Sequence, residues 1–567
     1  MMNKYIRRTT RSKIVTFVSV LMWAATFCAS DKNLMAVEES ANERTHKEYT
    51  LDVLRRERKI AAQRKRRIVF NNDGDELWRD TDATRAGVLA ARIAGLAGSH
   101  VDAIWQWGSD GFKLIHQDGP FAQLYTMDPN GLNYQRAVKA HQTLMEDCGK
   151  DNLEIVIDFC RENGMEVFYS NRMNDVHDSY FPNRLYITKI EHPEWCLGTK
   201  EESKQFGYPD PRSSWSAWNF EVPEIRQLTV DALREVCQTY DIDGIELDYW
   251  RHLVNFPEML RGDPVTPENR ELINQLMRDI RQVTEEEGLR RGRPILICGR
   301  CVEDVEVSKN SGLDIETWLE EDLVDMLSMA YGTEHLPPVY AVTRLAAKYG
   351  APVYPMINSY DIATTDPTSD GGKRRGNMPV WRGDALNKFE QGAAGLQTFN
   401  LFGTQWPQWR ELGEPELMLT LDRTYVWYYL PSQREGRDTF GALRTTRHRH
   451  PVTVSAADCE PMPLYVGEDL SAPDLSGKSR TLTLRVRAHG LTAGHALSVA
   501  VNGSSLIHSR TEPALGAAAE TTWLYYDDME DDLFKKGRNF VTAKIATGAG
   551  PVVTIDQVRL DVRYGEQ

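Results

Sequence analysis

Eight short apolar runs alternate with longer amphipathic segments between about Gln63 and Gly413. Such alternation is typical of repeated βα units that build a parallel sheet. The predicted strands are Arg67–Asn71, Val101–Trp107, Glu166–Asn171, Gly244–Asp248, Pro294–Arg300, Asp325–Ala330, Pro352–Ile357 and Gly395–Asn400. The predicted helices between them include Asn133–Cys148, Glu224–Tyr240, Pro267–Glu287, Val339–Tyr349 and Trp381–Gln391. Eight units in about 350 residues predict an α/β fold, a (β/α)8 TIM barrel with long loops.

The composition changes after the barrel, which we assign to residues 66–430. Residues 431–450 are polar and basic and are interpreted as a linker. Beyond them, Thr481–Ala488 alternates as a strand, and Leu497–Val501 leads directly into Asn502-Gly503, a strong hairpin signal. Residues 451–567 are therefore expected to form a small all-β sandwich. Residues 31–65 form a charged lead-in, helical or disordered.

The first 30 residues have the order of a secretory signal peptide. Basic residues between Lys4 and Lys13 precede an uncharged run, Ile14–Ser30, with small residues near its end. The run is short for a spanning helix. We expect export to the periplasm, the cell surface or the medium, and no membrane span in the mature protein.

Charge and cysteine content limit the classes of partner and cofactor. The formal net charge of -15 argues against nucleic acid and against anionic membranes, which both reward a basic surface. Of the eight cysteines, seven follow the leader, an odd number without the spacing of a disulfide framework. Cys298 and Cys301 lie at the end of an apolar strand and are interpreted as packing residues. No cofactor and no metal ion are predicted.

The fourth predicted strand carries two acids on one face. Side chains alternate along a strand, so Glu246 and Asp248 project together while Ile245 and Leu247 project the other way. Two carboxylates resist joint ionisation in a dry interior. We therefore expect the pair at an open, water-filled barrel mouth, although an ion pair with an arginine is an equally simple interpretation.

Polar and aromatic side chains follow nearly every predicted strand, where a barrel places its chemistry. Aromatic rings stack on sugar faces, and acids, amides and arginines bind hydroxyl groups, so the set favours a carbohydrate cleft. The candidate substrate contacts are Asn72, Asp73, Trp105, Arg172, Asn174, Asp175, His177, Tyr249, Arg251, His252, Arg300, Tyr331, Asn358 and Asn400. For Arg172, Arg300 and His252 two readings stay open: pairing with the strand-four acids, or contact with an anionic sugar, uronic or sulfated.

Glycoside cleavage needs one carboxylic acid to protonate the leaving oxygen and one carboxylate to attack carbon or activate water. Asp248 lies nearer the mouth and is the first candidate for direct chemistry. Glu246 lies deeper, where it either holds an arginine or, with a raised pKa, acts as the acid. Glu303 is the third catalytic candidate, as the opposing carboxylate, with Asp304 and Glu334 in reserve.

Four segments together resemble a known group of secreted bacterial proteins, the family-10-like glycosylhydrolases found in planctomycetes and their relatives. They are Arg67–Asp75, Phe159–Val167, Arg172–Asp175 and Asp243–Asp248. The resemblance covers roughly residues 67–413 and implies a (β/α)8 barrel with polysaccharide-related hydrolase activity. True family-10 xylanases differ, because they carry a glutamate after strand four and another after strand seven. Here strand four ends in Glu-Leu-Asp and strand seven ends without an acid.

Three functional hypotheses follow. The first is a secreted glycoside hydrolase acting on a poly- or oligosaccharide. The second is a non-catalytic carbohydrate-binding or cell-surface protein on a barrel scaffold. The third is metal-dependent hydrolysis through Asp73, Asp75, His177, Asp178 or His252, which is disfavoured because none of these residues stands in a His-x-His or His-Glu-x-x-His motif. His448-Arg449-His450 has the first spacing but is interpreted as part of the solvated linker.

Overall fold

Eight parallel strands close into a barrel. The computed structural model describes residues 49–74, 82–110, 113–114, 132–181, 185–206, 211–330, 339–358, 378–403, 407–428, 451–457, 459–473, 475–492, 496–514, 521–547 and 552–565. The barrel strands are β1 (Ile68–Asn72), β2 (Val101–Asp110), β3 (Glu166–Arg172), β4 (Gly244–Asp248), β5 (Leu296–Val302), β6 (Met326–Ala330), β7 (Val353–Asn358) and β8 (Leu396–Phe399). Each pairs with the next, and β1 pairs with both β2 and β8. The predicted TIM barrel is confirmed, and each predicted run overlaps one strand.

Helices alternate with these strands. They are α1 (Leu51–Ala62), α2 (Arg85–Arg92), α3 (Leu132–Cys148), α4 (Asn152–Glu162), α5 (His177–Tyr180), α6 (Ile187–Glu191), α7 (Lys200–Ser203), α8 (Pro223–Thr239), α9 (Pro257–Arg261), α10 (Pro267–Arg291), α11 (Val305–Asn310), α12 (Ile315–Glu320), α13 (Tyr340–Lys348), α14 (Met378–Glu390), α15 (Gln408–Glu411) and α16 (Pro415–Met418). Short 3-10 turns occur at Ala94–Leu96, Pro193–Trp195, Pro211–Ser213 and Asp531–Leu533. Among the described residues, no helix combines the length and the apolar character needed to cross a bilayer.

Strand alternation decides which side chains fill the barrel. Ile245 and Leu247 belong to the large core between the strands and the helices. Val69, Trp105 and Phe168 belong to a separate cluster inside the barrel. Gly244 also faces this interior, where a β-carbon would come within 2.4 Å of the Phe168 ring. The lower half of the barrel interior is therefore filled mainly by apolar side chains.

The charged lead-in is partly a docked helix. α1 lies at the N-terminal ends of the strands, where Arg58 is buried and pairs with Asp325 at 3.0 Å, directly before β6. Just beyond α1, Arg66 is buried and pairs with Glu166, the first residue of β3. These pairs anchor α1 to the bottom of the barrel. Residues 1–48 lie outside the described residues, so the signal peptide stays a prediction.

Two antiparallel sheets follow the barrel, consistent with the predicted sandwich. Their strands are β9 (Arg423–Tyr428), β10 (Val452–Val454), β11 (Met462–Val466), β12 (Arg480–His489), β13 (Ala496–Val501), β14 (Ser504–Ser505), β15 (Arg510–Pro513), β16 (Thr521–Tyr526), β17 (Gly537–Thr547) and β18 (Val553–Tyr564). One sheet has the order β9-β18-β12-β16-β15, with β10 also on β18, and the other β11-β17-β13-β14. Asn502 and Gly503 both have positive φ and join β13 to β14 in the predicted hairpin.

The first strand of the sandwich lies inside the range that the sequence assigned to the barrel. β9 pairs along its whole length with β18 and packs against α14 of the barrel. Gly383 on α14 permits this approach, because a β-carbon there would lie 2.2 Å from the Thr424 carbonyl oxygen. The β domain is thus docked on the helix that precedes β8. The predicted linker, residues 431–450, lies outside the described residues.

Candidate active site

Glu246 and Asp248 face the barrel interior from β4, as predicted. In register, Ser170 and Arg172 of β3 lie beside them on one side. Cys298 and Arg300 of β5 lie beside them on the other. The pair is therefore bracketed by hydrogen-bond donors from both neighbouring strands.

Arg300 joins the two carboxylates. Its Nη1 donates to Asp248 Oδ2 at 3.0 Å and lies 3.6 Å from Glu246 Oε1. Its Nη2 donates to Gln397 Oε1 on β8 at 3.4 Å. The Ser170 hydroxyl donates to Glu246 Oε2 at 2.5 Å, and the Arg251 amide donates to Asp248 Oδ1 at 2.9 Å. The simple ion-pair interpretation thus holds for Arg300.

The acid pair is buried. Glu246 is 0% exposed and Asp248 is 3% exposed. The Arg300 guanidinium that pairs with them lies 5.2 and 5.1 Å from the ring centroids of Trp250 and Phe399. The expectation of an open, water-filled mouth is wrong for this pair. Arg300 supplies the opposite charge that allows two carboxylates to leave water, and the aromatic rings shield that charge.

Burial raises the pKa of Glu246 above that of an ordinary glutamate. Desolvation raises its pKa to about 7; Arg300 opposes the rise and Asp248 adds to it. Glu246 Oε1, Arg300 Nε, Ser328 Oγ and Gln397 Nε2 are buried without hydrogen-bond partners among the described residues. Buried polar atoms are normally satisfied, so these four keep hydrogen-bonding capacity for a water molecule or a ligand hydroxyl group. Glu246 therefore keeps its proton to a higher pH than an ordinary glutamate does.

Replacing Glu246 with glutamine is expected to remove a pH-dependent loss of stability. The proton is held more tightly in the folded state, because the pKa is about 7 there against 4.5 for an ordinary glutamate. The stabilisation by protonation is full below pH 4.5 and disappears as the pH rises through 7. From pH 5 to pH 8 the free energy of unfolding of the wild type should fall by about 2 kcal/mol for this reason, and that of Glu246→Gln should not. Urea unfolding at both pH values measures this, and Glu201→Gln, at an exposed site, should show the same fall as the wild type.

A second polar group lies at the ends of β1 and β3. Arg172 donates to Asp73 Oδ1 at 3.1 Å and to Asp175 Oδ2 at 3.0 Å, with its guanidinium 4.7 Å from the Trp107 ring centroid. Asp175 Oδ1 contacts His177 Nδ1 at 2.6 Å. Burial alone would raise the pKa of Asp175, but His177 and Arg172 hold it well below its usual value. Burial also lowers the pKa of His252 well below its usual value.

Arg251 differs from Arg172 and Arg300, because its side chain has no ion pair within 4.0 Å in the described part of the chain. Its Nη2 lies 3.5 Å from His177 Nε2, and its guanidinium is 5.2 Å from the Phe399 ring centroid. Its Nε is buried without a hydrogen-bond partner. Asp73 is near enough for Arg251 to help lower its pKa against the effect of burial. Arg251 can therefore take an anionic group of a ligand without breaking an ion pair.

Several expected substrate contacts lie away from the mouth. Trp105 is fully buried in the inner barrel cluster, against Phe168. Tyr249 faces the helices, because it follows Asp248 by one residue, and it packs on Trp318. Asn174 is buried and ties its loop to the backbone carbonyl groups of Trp218 and Val254, a structural role.

The remaining predicted site residues lie farther from the acid pair or outside the described residues. Asn72 bonds to Gln106 on the helix side of β2. Glu303 is buried directly after β5, and Asn400 is half-buried after β8. Tyr331, Glu334, Asp75 and the side chain of Asn358 lie outside the described residues. The structure adds Ser170, Ser328, Gln397 and Phe399, which sequence reasoning missed although each lies on a predicted strand.

Comparison with known proteins gives structural likeness only. No protein-family model and no curated protein matches the chain, so the resemblance to family-10-like glycosylhydrolases is not confirmed. Three solved structures to which the chain is similar are all glycoside hydrolases. An alpha-amylase from Geobacillus thermoleovorans is 14% identical over 89% of this chain and 99% of its own, with a TM-score of 0.32. A family GH18 chitinase from Chromobacterium violaceum is 9% identical over 88% of this chain and 91% of its own, with a TM-score of 0.34. A GH36 alpha-galactosidase from Geobacillus stearothermophilus is 12% identical over 88% of this chain and 56% of its own, with a TM-score of 0.32. At TM-scores this low, no functional detail is transferred from them.

Proposed function

We propose that the protein is a secreted glycoside hydrolase that cleaves a poly- or oligosaccharide by carboxylate chemistry at the upper end of the barrel. One observation carries this proposal. Two carboxylates share one interior face, and the deeper one, Glu246, has a pKa raised to about 7 while Asp248 accepts hydrogen bonds from Arg300 and Arg251. Environments that make two neighbouring acids differ in protonation are the usual basis for assigning a general acid and its partner.

The roles follow from depth and hydrogen bonding. Glu246, protonated at neutral pH, donates a proton to the leaving glycosidic oxygen. Asp248 attacks the anomeric carbon or takes a proton from water, with Glu303 as the reserve opposing carboxylate. Trp250 lies half-buried on the loop directly after β4, with its ring beside Arg300, and movement of this ring is the proposed way in for a sugar. The basic, apolar and small-residue order of residues 1–30 supports export.

The test is release of new reducing ends from a panel of neutral and anionic glycans by the purified protein. Cleavage of at least one glycan is expected, with kcat/KM falling as the pH rises through about 7, because Glu246 then loses its proton. A panel on which no bond is cut, across pH 5 to 9, contradicts the proposal.

A non-catalytic carbohydrate-binding protein is the second candidate, and the burial of both acids in an ion pair with Arg300 favours it. A buried ion pair can be a purely structural feature. Retardation by an immobilised glycan in affinity electrophoresis, without cleavage of the same glycan, would identify this function. Retardation together with cleavage would identify the enzyme.

Within this function we propose an anionic sugar, carboxylated or sulfated, because Arg251, whose amide binds Asp248, has a side chain without an ion pair within 4.0 Å among the described residues. Arg251→Leu is expected to raise KM for an anionic glycan by about 10- to 100-fold, since a charge-assisted hydrogen bond contributes about 1.5–3 kcal/mol. KM for a neutral glycan of the same linkage should change less than about twofold by the same reasoning. Initial-rate kinetics measure both values, and Arg261→Leu, at an exposed site, is the matched control. Equal effects on the two glycans would contradict the anionic assignment.

A further inference from the structure

Three side chains with metal-ligating atoms converge beside the acid pair. Asp175 and His177 lie on the loop after β3, and His252 lies on the loop after β4. One potential ligand atom from each lies within 4.8 Å of the other two. The imidazole rings of His177 and His252 meet edge to face, with centroids 4.9 Å apart. The Val176 amide donates to His252 Nδ1 at 3.4 Å and holds the two loops together.

We propose that Asp175, His177 and His252 bind one divalent first-row transition-metal ion. Two imidazole nitrogens and one carboxylate oxygen suit zinc, iron(II) or manganese, whereas magnesium and calcium prefer oxygen ligands alone. Three protein ligands leave at least one coordination position open. Asp175 is buried while both imidazoles are half-buried, so an ion can enter from the histidine side.

The surrounding groups are compatible with a cation. Asp73 and Asp175 place two carboxylates among the cations Arg172, Arg251 and Arg92 and so offset much of their positive charge. Arg172 donates a hydrogen bond to Asp175 Oδ2, so Oδ1 faces His177. This bond fixes the orientation of the carboxylate. Arg251 contacts His177 without an ion pair and can move aside. Ligand atoms in a tetrahedral zinc site are roughly 3.3 Å apart, so rotation of the two imidazoles must close the remaining distance.

The imidazole of His252 is what distinguishes a metal site from a simple hydrogen-bonded pair of Asp175 and His177. A pair formed to orient one histidine needs only Asp175 and His177. His252 brings a further nitrogen donor to the same point from a different strand loop, 75 residues later in the chain than His177. No local sequence motif exists, because the ligands come from two loops that only the barrel brings together.

The experiment is zinc binding by the full-length, tag-free protein after treatment with a chelator. Isothermal titration with zinc chloride should show one equivalent bound more tightly than about 10 µM. His177→Ala and His252→Ala should each weaken this equivalent at least tenfold, because each removes one of three ligands. Cobalt(II) should give a visible absorption band that both variants lose. His192→Ala removes a partly exposed imidazole that stacks on Trp195 and is not part of the cluster; it is the matched control and should bind like the wild type.

Absence of a stoichiometric equivalent in the wild type overturns the proposal. Zinc binding that both variants leave unchanged also overturns it, because the ion then lies elsewhere, for example on the free thiols. His252→Gln keeps a polar side chain of similar length and is used if the alanine variant is not folded by circular dichroism. No sugar is involved in these measurements, so they are independent of the proposed glycosidase activity.

Discussion

Arg300→Met is expected to lower the free energy of unfolding by about 3–5 kcal/mol. The Arg300 side chain is 1% exposed and is the shared cationic partner of Asp248 and Glu246, at 3.0 and 3.6 Å. Methionine fills a similar volume under Trp250 and Phe399 but carries no charge. Removing one member of a buried ion pair leaves the other charge uncompensated, which costs far more than the pair contributes when intact. Urea unfolding at pH 7 measures the loss.

The control and a double variant make this prediction specific. Arg261→Met removes an exposed arginine, 60% exposed beside Asp263, and should cost less than about 0.5 kcal/mol. Combining Arg300→Met with Asp248→Asn should recover part of the lost stability, because the uncompensated carboxylate is then neutral. A loss below about 1 kcal/mol for Arg300→Met would mean that water reaches Asp248, and the buried description of the site would fail.

The barrel could be predicted because strand and helix periodicities are local properties of the sequence. Glu246 and Asp248 share a face by alternation alone, and Gly244–Asp248 was predicted with the same ends that the structure has. Most of the shorter helices were not predicted, among them α4, which begins with a capping box in which Asp151 and Glu154 bond to each other's backbone amides. An acidic N-cap residue followed three positions later by glutamate is a local signal for this helix start.

Burial of the acid pair could not be predicted in the same way. It depends on Arg300 from β5 and on Phe399 from β8, whose proximity to Glu246 arises only when the sheet closes. The inward positions of Ser170 and Gln397 follow from alternation, but the hydrogen bonds they make depend on barrel tilt and stagger. The position of Tyr249 could have been predicted, because one residue beyond Asp248 on an extended strand faces the opposite side.

Asp248→Asn is expected to lower kcat on the glycan identified by the panel about 10³-fold or more, equivalent to about 4 kcal/mol of transition-state stabilisation. Asparagine is isosteric and still accepts a hydrogen bond from the Arg251 amide, but it leaves Glu246 as the carboxyl partner of Arg300, so stability falls and rates are compared only after circular dichroism shows that the variant is folded. It lacks the charge needed to attack carbon or to accept a proton. Initial rates at saturating substrate measure the loss, with Asp263→Asn, at an exposed site, as the control. Unchanged turnover would remove Asp248 from the mechanism, and the same loss in Glu303→Gln would assign the chemistry there.

Loss of activity in Asp248→Asn alone does not separate chemistry from positioning, because Asp248 also holds Arg300. Asp248→Glu separates them. Glutamate keeps the negative charge and can still pair with Arg300, but it moves the carboxylate by one methylene relative to the sugar. A carboxylate that only holds Arg300 tolerates this shift, and kcat should then fall less than about tenfold. A carboxylate that reacts must meet its target atom within a fraction of an ångström, so Asp248→Glu should lose at least about 10²-fold while unfolding like the wild type.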